Sequence, residues 1–426
     1  MIRIMKAAEV SREEIFERKL PDVDVSGIVR DIIEDVRRNG DRALLSYTKI
    51  FDGAELKTPE VSEEEFREAE AAVAPEFTEL LKEAAANIRA FHSRQLREGF
   101  EITNAQGGTV GQFISPIEKV GLYVPGGTAA YPSTVLMDTI PAKIAGSGEI
   151  VIMTPPGKDG KVAPEILAAA RLAGATRVFK AGGAQAIAAL AFGTESVPKV
   201  YKIVGPGNAF VAEAKRQVFG QVAIDMIAGP SEILVVADGK SRPDWVAADL
   251  LSQAEHDRSA SAVLVTDSEA LAQAVAKELD LQLATLERRE IAEASIVRNG
   301  RIIVTGSLEE ALETANEIAP EHLELCVEDP FRWLKLVKAA GSVFLGRYCP
   351  EPVGDYFAGA NHTLPTGGTA RFSGALSVDD FVKKTQYMYY TREAMEKTAE
   401  KVGRFAAAEG LYAHKASTLK RLEAEE

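Results

Sequence analysis

From Val25 to Tyr47 the apolar residues Ile28, Val29, Ile32, Ile33 and Val36 recur at intervals of three and four. That spacing lays one apolar stripe along a helix and predicts its burial against another layer. Gly40 is the expected stop. Thr78 to Phe91 repeats the pattern with Leu80, Leu81, Ala84 and Ile88. Residues up to about 100 therefore read mostly as helices. From about 118 short apolar runs alternate with Ala- and Leu-rich stretches. Val120–Val124, Glu149–Met153, Arg177–Lys180 and Val200–Val204 read as strands. Ala163–Ala173, Ala184–Ala191 and Ala209–Val218 read as the helices between them. The alternation resumes after 231, with strands at Ile233–Val236, Ala262–Val265, Ile302–Val304 and Ser342–Leu345. Helices are expected at Trp245–Ala254, Ser268–Asp280 and Leu308–Ile318. Strand–helix alternation of this kind implies parallel βαβ units.

The fold expected is α/β, with two tandem Rossmann-like lobes. A helical N-terminal segment (1–20) precedes a first lobe formed by 21–120 with 231–377. A second lobe spans 121–230. A charged helical arm, with no strand signal, runs from 378 to 426.

Composition narrows the function. The chain has 426 residues, 46% of them hydrophobic, and a formal charge of −14. That length exceeds one ordinary core. The negative balance repels nucleic acid and anionic membranes. No apolar run approaches the roughly 20 residues that cross a bilayer. No signal-peptide apolar stretch is expected after Met1–Lys6. Two cysteines, Cys326 and Cys349, do not make a disulfide framework, so a reducing cytoplasm is expected.

The chemistry-bearing residues cluster at the ends of the expected elements. Three strand ends are Gly-rich: Gly126-Gly127, Gly182-Gly183 and Gly205-Pro206-Gly207. Such turns let a backbone approach a phosphate, although no GxGxxG opens a helix here. Plain turn glycines would look the same. Tyr123, Gln185 and Asn208 beside them favour a ligand. Of the five histidines, His92 sits in an amphipathic helix and reads as structural or merely exposed. His256, His322, His362 and His414 each have polar neighbours. Gln253 and His256 are three apart on one helical face, a spacing that suits two ligands of one ion. Asp355 and His362 share a Gly-rich loop, and Glu409 and His414 close the tail. No zinc-finger spacing is present, and a mixed nitrogen and oxygen donor set suits a catalytic metal. Glu321 and His322, adjacent at the start of a strand-like stretch, are the acid–base candidates. Cys326 reads as core. Cys349, before Pro350 in the loop, stays open as a nucleophile.

Several blocks resemble the histidinol dehydrogenase family over nearly the whole chain. The most specific is Ile224-Asp225-Met226-Ile227-Ala228-Gly229-Pro230-Ser231-Glu232. Gly121–Gly127, Ile203–Asn208, Gln253 with His256, Pro320–Leu323, Gly354-Asp355-Tyr356 and Asn361–Thr366 follow in the family's order. The resemblance implies oxidation of L-histidinol to L-histidine with NAD and one zinc ion per subunit. It implies zinc ligands Gln253, His256, Asp355 and His414, and an acid–base pair Glu321 and His322. It implies histidinol contacts from Ser231, His362 and Glu409 beside His322 and the metal ligands. NAD would meet Tyr123, Gln185 and Asn208. The resemblance also implies a homodimer in which the tail, with Glu409 and His414, serves the partner's site.

Overall fold

The computed structural model describes residues 2–18, 24–126 and 130–423. Gly127 of the first Gly-rich turn, and residues 19–20 of the expected N-terminal segment, lie outside them. The chain forms two compact units, Met1–Gln95 with Glu118–Phe381, and Leu96–Ile117 with Val382–Glu426.

The larger unit holds two parallel sheets. The first has five strands in the order Arg177–Lys180, Glu149–Thr154, Lys119–Tyr123, Lys202–Val204, Ala223–Ile224. Order reverses between Lys119–Tyr123 and Lys202–Val204, so their carboxyl ends flank a crevice where doubly wound sheets bind ligands. The second has six strands in the order Arg3–Lys6, Arg301–Val304, Ser261–Thr266, Glu232–Ala237, His322–Cys326, Ser342–Leu345. Strands buried on both faces carry continuous apolar runs, and Glu232–Ala237 and Ser261–Thr266 are buried throughout. Parallel α/β architecture is thus as expected.

Gly40 breaks its helix as expected: it takes a left-handed φ of 52°, and a second helix runs on to Phe51. The Glu195 carboxylate accepts the Asp41 N–H at 2.8 Å and starts it. Expectations elsewhere need correction. The N-terminal segment is not purely helical, because Arg3–Lys6 is an edge strand on Arg301–Val304. No local signal reveals a strand whose partner is so distant. Finally, helices in 21–120 do not cover the 231–377 sheet. Ser26–Phe51 packs on Gly183–Phe192 and Ala209–Val218, and Glu63–Ala72 packs on Pro164–Ala173. An apolar stripe states that a face is buried, not which neighbour buries it.

The smaller unit corrects the helical arm. Val382–Tyr389 pairs antiparallel with Thr109–Pro116, which pairs with Phe100–Thr103. Helices Arg392–Glu396, Ala399–Ala408 and Tyr412–Leu419 follow. The strand VKKTQYMY is largely exposed, so no apolar alternation marks it in the sequence.

One buried ion pair fixes the turn after Lys202–Val204. Lys215 and Asp225 form a salt bridge with side chains 2% and 1% exposed. Lys215 Nζ also donates to the Gly205 carbonyl at 2.9 Å, and Asp225 Oδ2 accepts the Gly205 N–H at 2.8 Å. Gly205 has φ 111°, and a Cβ there would lie 2.1 Å from the Tyr123 carbonyl oxygen. Only glycine fits so close an approach. Lys215→Met leaves Asp225 buried without its cation, so a loss of about 3–5 kcal/mol is expected, read from denaturant unfolding.

Candidate active site

The Glu321–His322 pair is set by one main-chain residue. Glu232 opens its strand beside His322–Cys326. Its N–H donates to Glu321 Oε2 at 2.8 Å, and its carbonyl oxygen lies 2.9 Å from His322 Nδ1. A carbonyl can only accept, so Nδ1 carries the proton and Nε2 keeps its lone pair. The Arg18 guanidinium grips the Glu232 carboxylate through Nε at 2.6 Å and holds the Ile318 carbonyl at 2.6 Å. Glu321 and His322 are both buried. Burial pushes the Glu321 carboxyl well above the usual carboxylate range and lowers the His322 imidazole. Each change disfavours charge in a dry site.

His322 Nε2 has no hydrogen-bond partner among the described residues. It faces Glu351 Oε1 at 3.6 Å and Asp355 Oδ1 at 3.8 Å. These three side chains offer ligand atoms close enough together to hold a metal ion. Glu351 was not singled out from the sequence. It is buried, and burial followed by the Asp355 charge pushes it up to about 10.

The neighbouring ligand candidates come from two other segments. Helix Pro243–Ala254 returns from the carboxyl end of Glu232–Ala237, so its last turn reaches the amino edge where His322 lies. Gln253 is buried there, and its Oε1 has no partner among the described residues. His256 sits just past the helix end, near enough to Asp355 and His362 for their charges to act on it. It is exposed and is not part of the tight group around His322. His362 Nδ1 lies 3.1 Å from the Asp355 carbonyl oxygen, so it donates there. Its Nε2 lies 3.1 Å from Thr134 Oγ1. Thr134 opens the helix that follows Lys119–Tyr123, so His362 joins the two sheets' sides of the site. Asn361 donates to the Met137 carbonyl at 2.6 Å, and Thr363 Oγ1 to Asp138 Oδ1 at 2.7 Å. Ser231, half-buried, immediately precedes Glu232. Glu409 and His414 lie in the smaller unit and are exposed on it.

The expected cofactor residues occupy the carboxyl edge of the five-stranded sheet. Tyr123 ends its strand, and its hydroxyl accepts the Gly183 N–H at 3.1 Å. Burial pushes that hydroxyl up to about 12. Asp52, also missed from the sequence, accepts the Gly182 N–H, and burial pushes it up to about 6. Gln185 lies in the first turn of Gly183–Phe192, buried, with both amide atoms unpartnered among the described residues. Asn208 is exposed and caps its helix by accepting the N–H groups of Phe210 and Val211. Its amide NH₂ is left for another partner.

Both cysteines are free thiols. Cys326 is buried, and its pKa is pushed far above the usual thiol range by burial and the nearby Glu324. A thiol so disfavoured as thiolate is a poor nucleophile. His92 is buried against Gln95, as a structural histidine should be.

Known proteins bear on this geometry. The histidinol dehydrogenase family model matches residues 17–422. A histidinol dehydrogenase of Geobacillus kaustophilus is 56% identical over 93% of both chains. One of Clostridium acetobutylicum is 50% identical over 97% of both. The crystal structure of histidinol dehydrogenase from Elizabethkingia anophelis superposes with a TM-score of 0.95 at 40% identity, covering 99% of this chain and 98% of that one. The chain belongs to the histidinol dehydrogenase family.

Proposed function

We propose that the chain oxidises L-histidinol through L-histidinal to L-histidine, with NAD as oxidant and one zinc ion per subunit. The supporting observation is the Glu321–His322 pair pinned to the Glu232 main chain, with His322 Nε2 unpartnered beside Asp355. The residues fit a metal: Gln253 presents a buried carbonyl oxygen with no partner among the described residues, one helical turn from His256, on which the Asp355 charge acts. Gln253, His256, Asp355 and His414 of the partner's arm would hold zinc. Bound there, it would orient the substrate's imidazole and amine. NAD, which supplies hydride acceptance, would lie against Tyr123, Gln185 and Asn208.

The chain's own residues manage protons. His322 Nε2 takes the hydroxyl proton as hydride leaves the carbinol carbon. Only a hydrated aldehyde has a second hydride to give, so water must add next. Glu321 in its carboxylate form, a stronger base for its burial, takes a proton from that water while His322 returns the hydroxyl proton to the aldehyde oxygen. His322 then deprotonates the hydrate as the second hydride leaves. Ser231, His362 and Glu409 would fix the substrate's polar groups. Helix Tyr412–Leu419 has no buried residue, which suits an arm docked on a second subunit in a homodimer. No helix among the described residues is long and apolar enough to cross a membrane. The two free cysteines suit the cytoplasm.

Absorbance at the NADH band tests the reading. Two NADH are expected per L-histidinol, lost on chelation and restored by zinc; activity in verified metal-free protein rejects the metal. Glu321→Gln is expected to slow the second half-reaction about tenfold or more beyond the first, judged by single-turnover NADH formation from alcohol and from aldehyde. Iodoacetamide is expected to label Cys349 before Cys326, mapped by mass spectrometry, with activity retained; parallel loss of activity would restore a thiol mechanism.

A further inference from the structure

Glu324 is a carboxylic acid in the middle of a buried parallel strand, with no exposed surface. Such a position is costly unless its oxygens are occupied. They are. Successive side chains on a strand alternate, so Glu324 points to the same face as His322, two residues earlier. Its Oε1 accepts the Glu351 N–H at 2.7 Å. Its carboxyl is hydrogen-bonded to that of Asp249, and Cys326 Sγ lies 3.8 Å from Oε2.

The partners matter for what they carry. Asp249 lies on helix Pro243–Ala254, one turn before Gln253. Glu351 opens helix Glu351–Tyr356, one turn before Asp355. We propose that Glu324, with Asp249, is a positioning residue of the active site: its carboxyl ties the helix bearing Gln253 and the helix bearing Asp355 to the strand bearing His322. Two groups on separate helices are thereby spaced from the base by one shared side chain. What is being positioned rests on the metal reading above; the tie itself is a local contact.

Charge agrees with this role. Burial pushes Glu324 well above the usual carboxylate range and Asp249 up to about 6. Two carboxyls can hydrogen-bond only through a shared proton, and the other Glu324 oxygen accepts from Glu351. A glutamine reproduces both contacts: its carbonyl accepts and its NH₂ donates. A leucine fills similar space and makes neither.

The experiment uses the full chain with Glu324→Gln, Glu324→Leu and Asp249→Ala. Zinc affinity is read by chelator competition, KM for L-histidinol and for NAD by steady-state kinetics, and Glu351 amide exchange by mass spectrometry on metal-free protein. Glu324→Leu is expected to weaken zinc about 10–100-fold, the usual effect of losing a residue that orients ligands. KM for NAD should hold, and Glu351 exchange should accelerate. Glu324→Gln should stay within about threefold of wild type in every readout. Asp249→Ala should weaken zinc about tenfold yet leave the Glu351 amide protected, which decides the matter should the leucine chain not fold. Wild-type zinc affinity in both Glu324→Leu and Asp249→Ala overturns the proposal. So does a Glu324→Gln chain as impaired as Glu324→Leu, or equal losses for zinc and NAD. Wild-type protein that takes up no zinc rejects the metal reading instead. The tie is then judged on Glu351 exchange alone: faster in Glu324→Leu but not in Glu324→Gln supports it, and no difference overturns it.

Discussion

Glu321 and His322 both hang on the main chain of one residue, Glu232. The Glu232 N–H orients the Glu321 carboxyl, and the Glu232 carbonyl sets the His322 tautomer. Backbone in a parallel sheet is the least movable part of a protein, so these groups are held without relying on long side chains. The family's most specific block, Ile224 to Glu232, is the segment that joins the two sheets. Asp225 at its start clamps the Gly205 turn, Gly229 donates to Thr366 Oγ1 at 2.6 Å, and Glu232 at its end holds the acid–base pair. One short stretch thus fastens the Gly205 turn and the Glu321–His322 pair to each other.

The region around His322 is crowded with carboxyl groups and short of cations. Glu321, Glu324, Glu351 and Asp249 all have their pKa raised, chiefly by burial. Each of these carboxyls resists ionisation more than it would in water. A divalent cation placed among them would supply the missing positive charge, and its binding would release protons that burial makes the carboxyls retain.

Much of this architecture is visible in the sequence. The parallel strands and intervening helices follow from apolar periodicity, and Glu321, His322, Gln253 and Asp355 stand out by residue type and spacing. What escaped lies where a signal is non-local. Arg3–Lys6 and Val382–Tyr389 become strands only because distant partners complete them. The Ser26–Phe51 stripe could not reveal which sheet it covers. Glu324 did carry a legible hint, since a charged residue two past His322 in an apolar strand must share its face and find partners. Glu351 and Asp52 carried none, for their importance comes from burial that only the folded chain creates.

The amino-edge placement of His322 has a consequence for how this scaffold tolerates change. Doubly wound sheets usually do their chemistry at the other rim. Here the turns that follow Glu232–Ala237, Ser261–Thr266 and Arg301–Val304 sit on the rim away from the acid–base pair. Those loops are released from catalytic duty. Lineages can lengthen or recompose them, acquiring new surface or new attachments, while the reacting groups stay where they are.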